Sequence, residues 1–271
     1  MTTGRTADIR PAIDTTLVKR LVDAQFPQWA GLPLELVDPA GSDHVIHRLG
    51  AELSVRLPRH SGAIGQARKE SEWLPRLAPH LPVGVGEPGF GYPWPWAVSR
   101  WLEGEVATVE ALAESSVAAV ELAEFLTALQ RFAPEDLPAE GTRADLTAGS
   151  LADRDRATQA AIADVGDAFD AAAMTELWAA ALGAPGWDRP PVWFHGDFHT
   201  GNLLTTDGRL SAVIDFGELG LGDPARDLII AFTLMSADTR AAFRTALDVD
   251  DATWTRGRGW ALATGLNAYT S

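Results

Sequence analysis

An α+β chain made of two unequal parts is the fold class this sequence predicts. Three observations predict it. Short apolar runs bounded by turn residues are confined to roughly the first hundred positions, as a small sheet requires. Helical spacing takes over after Gly104. A short apolar strand and a hairpin then return at 192–194 and 203–214.

The elements follow in order. Residues 34–38, 45–49 and 52–57 read as strands, the last two joined by the tight-turn signal Gly50-Ala51. In the third, Leu53, Val55 and Leu57 share one face, and Ser54 and Arg56 the other. A turn-rich loop, 39–44, lies between the first two strands. Residues 67–77 read as a helix with Trp73, Leu74 and Leu77 on one side. Pro79, Pro82, Pro88, Pro93 and Pro95 interrupt structure before a strand at 96–102. Leu122, Phe125, Leu126, Leu129 and Phe132 then keep helical spacing until Pro134. The Ala-rich stretch 151–182 reads as two helices broken near Gly166. Residues 203–204 and 210–214 form a hairpin about Asp207-Gly208, and helices are expected at 223–235, 238–246 and 254–269. The last pattern runs to the chain end without a capping signal, which leaves room for a further C-terminal segment.

With 271 residues, 46% apolar and 22% charged, the chain has the balance of a soluble globular protein. It has no cysteine, which excludes disulfides, thiolate metal sites and a cysteine nucleophile. No signal-peptide core and no apolar run of membrane-spanning length is present, so a cytoplasmic location without a membrane partner is expected. The net charge of −15 repels nucleic-acid phosphates and excludes nucleic acid as a natural partner. Any anionic nucleotide bound here needs basic groups gathered locally.

Chemistry concentrates in one run. His195-Gly196-Asp197-Phe198-His199-Thr200-Gly201-Asn202 is followed, thirteen residues after Asn202, by Asp215-Phe216-Gly217. The spacing reproduces H-x-D-x-x-x-x-N and then D-F-G, the order that phosphoryl transfer needs. Asp197 is placed as the catalytic base that orients or deprotonates an acceptor hydroxyl. Asn202 and Asp215 supply two oxygens for magnesium, the number a protein usually contributes when phosphates and water complete the shell. His195-x-Asp197-x-His199 also has the form of a hydrolase metal cluster. Against that reading, His44, His47, His60 and His80 all lie far upstream and supply no second cluster. His195 is better placed to support the loop by hydrogen bonds. Only Glu218 to Leu221 separate D-F-G from Gly222-Asp223-Pro224, too few residues for a peptide-docking activation segment, so a small-molecule acceptor is expected.

The run FHGDFHTGN followed by VIDFGELGLGDPARDL resembles the aminoglycoside phosphotransferase family, within the protein-kinase-like superfamily. SVRLPR, KESEWLPRLAP and YPWPWAVSRWLEG agree with it, and the resemblance runs from about Gly41 to Ala263. It implies a two-lobed protein-kinase-like fold around an ATP cleft. Residues 1–102 would form a small antiparallel-sheet lobe that binds nucleotide. Residues 103–271 would form a larger, mainly helical lobe for catalysis and the acceptor. It implies that Arg56 contacts phosphates where the family commonly has Lys, held there by Glu70. Ser42 would lie over the phosphates, on a loop with one glycine rather than a Gly-rich motif. Ser99, Arg100, Trp101 and Leu102 would offer backbone groups to adenine. Asp227 would brace the catalytic loop. ATP is the implied donor, with GTP as an alternative, and Mg2+ the metal. The implied acceptor is an aminoglycoside-like antibiotic. Another small alcohol (a sugar, amino alcohol, nucleoside or macrolide antibiotic) is the runner-up, and a nucleotide-binding regulatory protein without turnover is the competing class. If the acceptor is cationic, Glu218, Asp250 and Asp251 are its expected partners, with Trp254 and Trp260 walling the site. Trp94 and Trp96 read as core packing.

Overall fold

The computed structural model describes residues 11–38, 43–77, 84–132, 146 and 149–270. They fall into two compact units, Met1–Glu103 and Gly104–Ser271. No described helix is long and apolar enough to cross a membrane. The fold class is α+β, as the sequence predicts.

The first unit opens with α1 (Thr15–Gln25), which the sequence reading did not anticipate. Asp14 starts it by accepting the Leu17 amide, a standard N-cap. Among the described residues a five-stranded antiparallel sheet follows in the order β1-β2-β3-β5-β4. Its strands are β1 (Leu34–Leu36), β2 (His44–Leu49), β3 (Leu53–Pro58), β4 (Gly84–Gly86) and β5 (Trp96–Arg100). β2 and β3 turn at Gly50, whose φ of +62° suits glycine. β4 lies in the stretch read as proline-broken, and its two glycines hid it. Val18, Leu21 and Val22 of α1 share a core with Leu49, Val55, Leu57 and Trp96. The alternation of β3 therefore holds, with Val55 and Leu57 fully buried. Trp94 and Trp96 are core residues, and the Trp96 indole donates to the Glu87 carbonyl at 3.1 Å. α2 (Ile64–Leu77) starts three residues earlier than expected, behind a 3-10 turn at Ser61–Ala63.

The second unit begins with β6 (Glu105–Val106), α3 (Val109–Leu112) and α4 (Ser116–Arg131). Pro134 and Ser42 lie outside the described residues. A 3-10 turn (Leu151–Arg154) leads into α5 (Asp155–Asp164), and α6 (Ala171–Gly183) follows the break at Gly166. β7 (Val192–Phe194) pairs with β10 (Gly220–Gly222), while β8 (Leu203–Thr206) and β9 (Arg209–Val213) form the hairpin, with β6 on its outer edge. Asp207 and Gly208 both have positive φ, the geometry an Asp-Gly hairpin turn selects. A 3-10 stretch (Pro224–Leu228) runs into α7 (Ile229–Thr233), followed by α8 (Ala237–Leu247) and α9 (Asp251–Thr270). One core joins α4, α7 and α8 around Phe198 and Phe243; another joins α5, α6 and α9 around Trp178 and Trp260. α9 approaches closely because a Cβ on Gly257 would stand 2.6 Å from Leu228, and one on Gly259 2.5 Å from Ala181.

Candidate active site

β7 delivers the chain into His195-Gly196-Asp197, and the loop is held from several sides. Asp227 is wholly buried, and its carboxylate accepts the His195 and Gly196 amides at 2.7 and 2.8 Å. Burial pushes its pKa up, opposed by His195, those two amides and Arg226. From the opposite side the Arg226 guanidinium donates to the Gly196 carbonyl at 3.2 Å and lies 3.9 Å from Glu218. It sits over the rings of Phe194 (5.5 Å) and Trp260 (5.2 Å), a cation–π site of low exposure. Gly196 has φ +89°, and a Cβ there would stand 2.2 Å from the Glu218 carbonyl oxygen. Only glycine fits this position.

The His195 ring is fully buried between Phe198 and Phe216. Its Nε2 donates to the Ile214 carbonyl at 2.9 Å, and its Nδ1 accepts the Asp197 amide at 3.3 Å. Both nitrogens are thus engaged within the loop. His195 thereby ties the segment after β9 to the Asp197 loop. Among the described residues no group of three or more His, Asp or Glu side chains is arranged to hold a metal.

The hairpin sets the other two groups. Leu203 pairs with Val213, and the ladder continues through the Ile214 amide donating to the Asn202 carbonyl at 2.9 Å. Asn202 and Asp215 therefore stand at neighbouring strand ends. The Asn202 Nδ2 donates to the Asp197 carbonyl (2.8 Å) and to Asp197 Oδ2 (3.0 Å). The amide's oxygen is then turned away from Asp197, as a cation ligand requires. Asp215 adopts φ +61°, an uncommon conformation for a residue with a side chain, which Asp tolerates better than most. An amide oxygen and a carboxylate on adjoining, rigid strand ends fit a magnesium ion whose remaining ligands are phosphate and water.

Asp197 and His199 are each about half exposed and stand 3.4 Å apart, Oδ2 to Nε2. The hydrogen bond from His199 holds the Asp197 carboxyl below its ordinary range, against the effect of burial. The same bond, aided by the charges of Asp197 and Asp215, raises His199. The sequence pattern offers His199 only as a metal ligand and assigns Arg226 no role. A cation placed immediately before Asp227 and an apolar run was the available signal.

The expected acceptor residues separate. Glu218 adjoins the Asp197 loop. Asp250 caps α9 through the Thr253 amide (2.7 Å) and pairs with Arg189 (3.2 Å), while Asp251 pairs with Arg244. Trp254 meets Phe232 at a tilt, ring centroids 5.0 Å apart and planes at 53°, and Trp260 is 5% exposed in the core beneath Arg226. In the first unit, Arg56 of β3 reaches Glu70 of α2, its Nη1 lying 2.9 Å from both carboxylate oxygens. Ser99 bonds Ser54 across the sheet at 3.0 Å, Arg100 pairs with Leu53, the Trp101 amide donates to the Glu52 carbonyl, and Leu102 follows.

No curated protein matches this chain. Solved structures do. Aminoglycoside 2'-phosphotransferase-IIIa, in its GDP complex, is 19% identical with a TM-score of 0.73, covering 95% of this chain and 90% of its own. The streptomycin–ATP ternary complex of APH(2")-IIa is 15% identical with a TM-score of 0.64, covering 96% and 92%. Macrolide 2'-phosphotransferase MphH from Brachybacterium faecium is 25% identical with a TM-score of 0.57, covering 95% and 88%. The first two likenesses establish the two-lobed α+β fold. The phosphotransferase enzyme family matches over residues 37–260, most of the chain. With Asp197, Asn202 and Asp215 in the arrangement above, the chain belongs to that phosphotransferase family and is a small-molecule kinase.

Proposed function

We propose that this protein transfers the γ-phosphoryl group of ATP to a hydroxyl of an antibiotic-sized small molecule. The observation that carries the reading is the Asp197–Asn202–Asp215 constellation, one carboxylate bonded to an amide that borders a second carboxylate. The acceptor oxygen forms a bond to the γ-phosphorus, the bond from phosphorus to the β–γ bridging oxygen breaks, and ADP leaves. The hydroxyl proton passes to Asp197. The transition state is loose, so alignment of the hydroxyl is the main demand on the base. Asn202 and Asp215 would hold Mg2+, which when bound offsets phosphate charge. His195 and Asp227 keep the loop in place. Arg56, fixed by Glu70, steadies the phosphates, and the backbone of residues 99–102 meets adenine. A cytoplasmic site of action, where ATP is supplied, belongs to the same proposal.

The neighbours named for aminoglycosides and macrolides support a small-molecule acceptor of that size. The neighbours in complex with GDP support GTP as a second donor to be tested. Calorimetry and phosphate transfer on two variants test the reading. Asp197→Asn is expected to keep nucleotide affinity and lose roughly 10²–10⁴ in rate, the usual worth of a positioned base. Asp215→Ala is expected to lose magnesium-dependent nucleotide binding and turnover together. Full activity of Asp197→Asn would remove the base assignment. Nucleotide binding by the wild type without transfer to any alcohol would favour a regulatory protein.

A further inference from the structure

The peptide between Gly196 and Asp197 is gripped at both ends. Its carbonyl accepts from Arg226 Nε at 3.2 Å. Its N–H donates to His195 Nδ1 at 3.3 Å. That nitrogen is an acceptor because the other ring nitrogen, Nε2, donates to the Ile214 carbonyl at 2.9 Å. The preceding peptide is held separately, its Gly196 N–H donating to Asp227 Oδ1 at 2.8 Å. Asp197 thus leaves a peptide plane of fixed orientation, and that plane helps to set where its carboxylate points.

Local sequence does not hold this plane by itself. Gly196 has φ +89° and no Cβ, so the peptide that follows it turns with little steric resistance. Its partners oppose the turn. A reversed peptide would set its carbonyl oxygen against the lone pair of His195 Nδ1 and its N–H against a guanidinium. Of the two partners Arg226 carries the fixed charge, and a charged donor makes the stronger bond. Arg226 is itself fixed. Its side chain is 15% exposed, and its guanidinium carbon lies 5.5 Å from the Phe194 ring centre and 5.2 Å from that of Trp260. Three residues earlier, Asp223 caps the Ala225 amide at 3.0 Å and takes two bonds from Arg256 of α9, at 2.6 and 3.0 Å. Trp260 lies on the same helix. α9 therefore fixes the backbone of Arg226 through Asp223 and its guanidinium through Trp260.

We propose that Arg226 is a positioning residue for Asp197, holding the Gly196–Asp197 peptide in the orientation that aims the carboxylate and tying the base loop to α9. The proposal rests on the phosphotransfer reading above. Arg226 acts through the peptide and needs no contact with nucleotide or acceptor. Hairpin pairing sets the backbone of Asn202 and its neighbour Ile214 independently of this peptide. Loss of Arg226 therefore lowers turnover and leaves nucleotide affinity nearly unchanged.

Arg226→Met tests this, because it keeps an unbranched apolar chain between the two rings and removes the donor. Amide hydrogen exchange followed by NMR separates the two peptides. The Asp197 N–H is expected to lose at least about tenfold in protection, while the Gly196 N–H, held by Asp227, stays within about threefold. ATP turnover with kanamycin A, erythromycin and water as acceptors is expected to fall roughly 10- to 100-fold, the scale of a misplaced reacting group, with magnesium–ATP affinity by calorimetry changed less than about threefold. If Arg226→Met does not fold, Arg226→Lys takes its place in the same measurements, since an ammonium keeps the charge and loses the planar fork. Unchanged exchange at Asp197, equal loss at Gly196 and Asp197, or turnover within about twofold of the wild type would overturn the proposal. Turnover that Asp197→Asn abolishes and the Arg226 variant leaves intact removes this proposal alone. A wild type that turns over ATP with none of the three acceptors removes the phosphotransfer reading, and the role of Arg226 with it.

Discussion

His199, two positions along the loop, lowers the pKa of Asp197, the proposed base. Its ring stands 3.4 Å from Asp197 Oδ2 and 3.4 Å from the Asn202 amide nitrogen, so it touches both members of the motif. Because the Asp197 pKa is lowered, its carboxylate stays ionised well into the acid range; because the His199 pKa is raised, the ring keeps its proton above the ordinary 6.5. The ion pair therefore exists between these two values. Its small stabilising effect disappears as pH falls through the lowered Asp197 value, and again as pH rises through the raised His199 value. The acid limb of kcat/KM is expected to fall below 3.8, the ordinary aspartate value. Replacing His199 with Ala should move that limb upward, while the nucleotide affinity at neutral pH changes little. A pH–rate profile of His199→Ala that superimposes on the wild type would separate His199 from the base. The pair was hard to read in the sequence because a histidine two residues after an aspartate fits a metal ligand as well as a hydrogen-bond donor. Asp197, Asn202 and Asp215 were legible because their spacing is set by one hairpin and one turn.

At the scale of elements, the Arg56–Glu70 pair ties β3 to α2 with 15% and 7% of the two side chains exposed. Removing one partner of such a pair leaves the other charge buried, which costs roughly 3–5 kcal/mol, whereas replacing both with apolar residues is often neutral. Arg56→Ala is therefore expected to lower the denaturant midpoint of the first unit. Its ATP KM is expected to rise as well, and the double variant Arg56→Met with Glu70→Leu should recover most of the stability loss yet keep that raised KM. If ATP KM recovers together with stability in the double variant, Arg56 is a structural tie and not a phosphate contact. Alternation along β3 made this pair readable, since Arg56 had to face away from Val55 and Leu57. Other elements lacked such a signal. β4 and β10 begin and end on glycine, whose weak strand preference masks them, and β6 has two residues and no period to detect. α1 escaped the sequence reading although Asp14 caps it, because its apolar positions are interleaved with Lys19, Arg20 and Asp23. Gly257 and Gly259 of α9 serve close approach to Leu228 and Ala181, a use that depends on partners distant in sequence and that the helical pattern at 254–269 does not show.

Across the whole molecule the charge of −15 is legible from composition, but its distribution is not. Acids were expected to gather at an acceptor site. Instead Asp223, Glu218, Asp250 and Asp251 each face an arginine, so much of the local field there is already balanced. Arg240 and Arg258 meanwhile line a cavity of the second unit, together with Phe232 and Trp254, with no carboxylate among its described lining residues. An anionic nucleotide approaching such a chain is repelled at long range and held only at short range, by Arg56 and by magnesium on Asn202 and Asp215 in the proposed reaction. Salt weakens the first effect more than the second, because the Debye length falls from roughly 20 Å to roughly 7 Å between about 20 and 200 mM salt. The association rate of magnesium–ATP is therefore expected to rise, by roughly two- to tenfold, as sodium chloride increases over that range. Stopped-flow mixing with a fluorescent ATP analogue measures this directly. Enzymes that steer nucleotides with basic surfaces show the opposite slope. A rate that falls with salt would mean that the local field of the nucleotide site reaches further than the net charge of the chain, and that the arginines dominate the approach as well as the bound state.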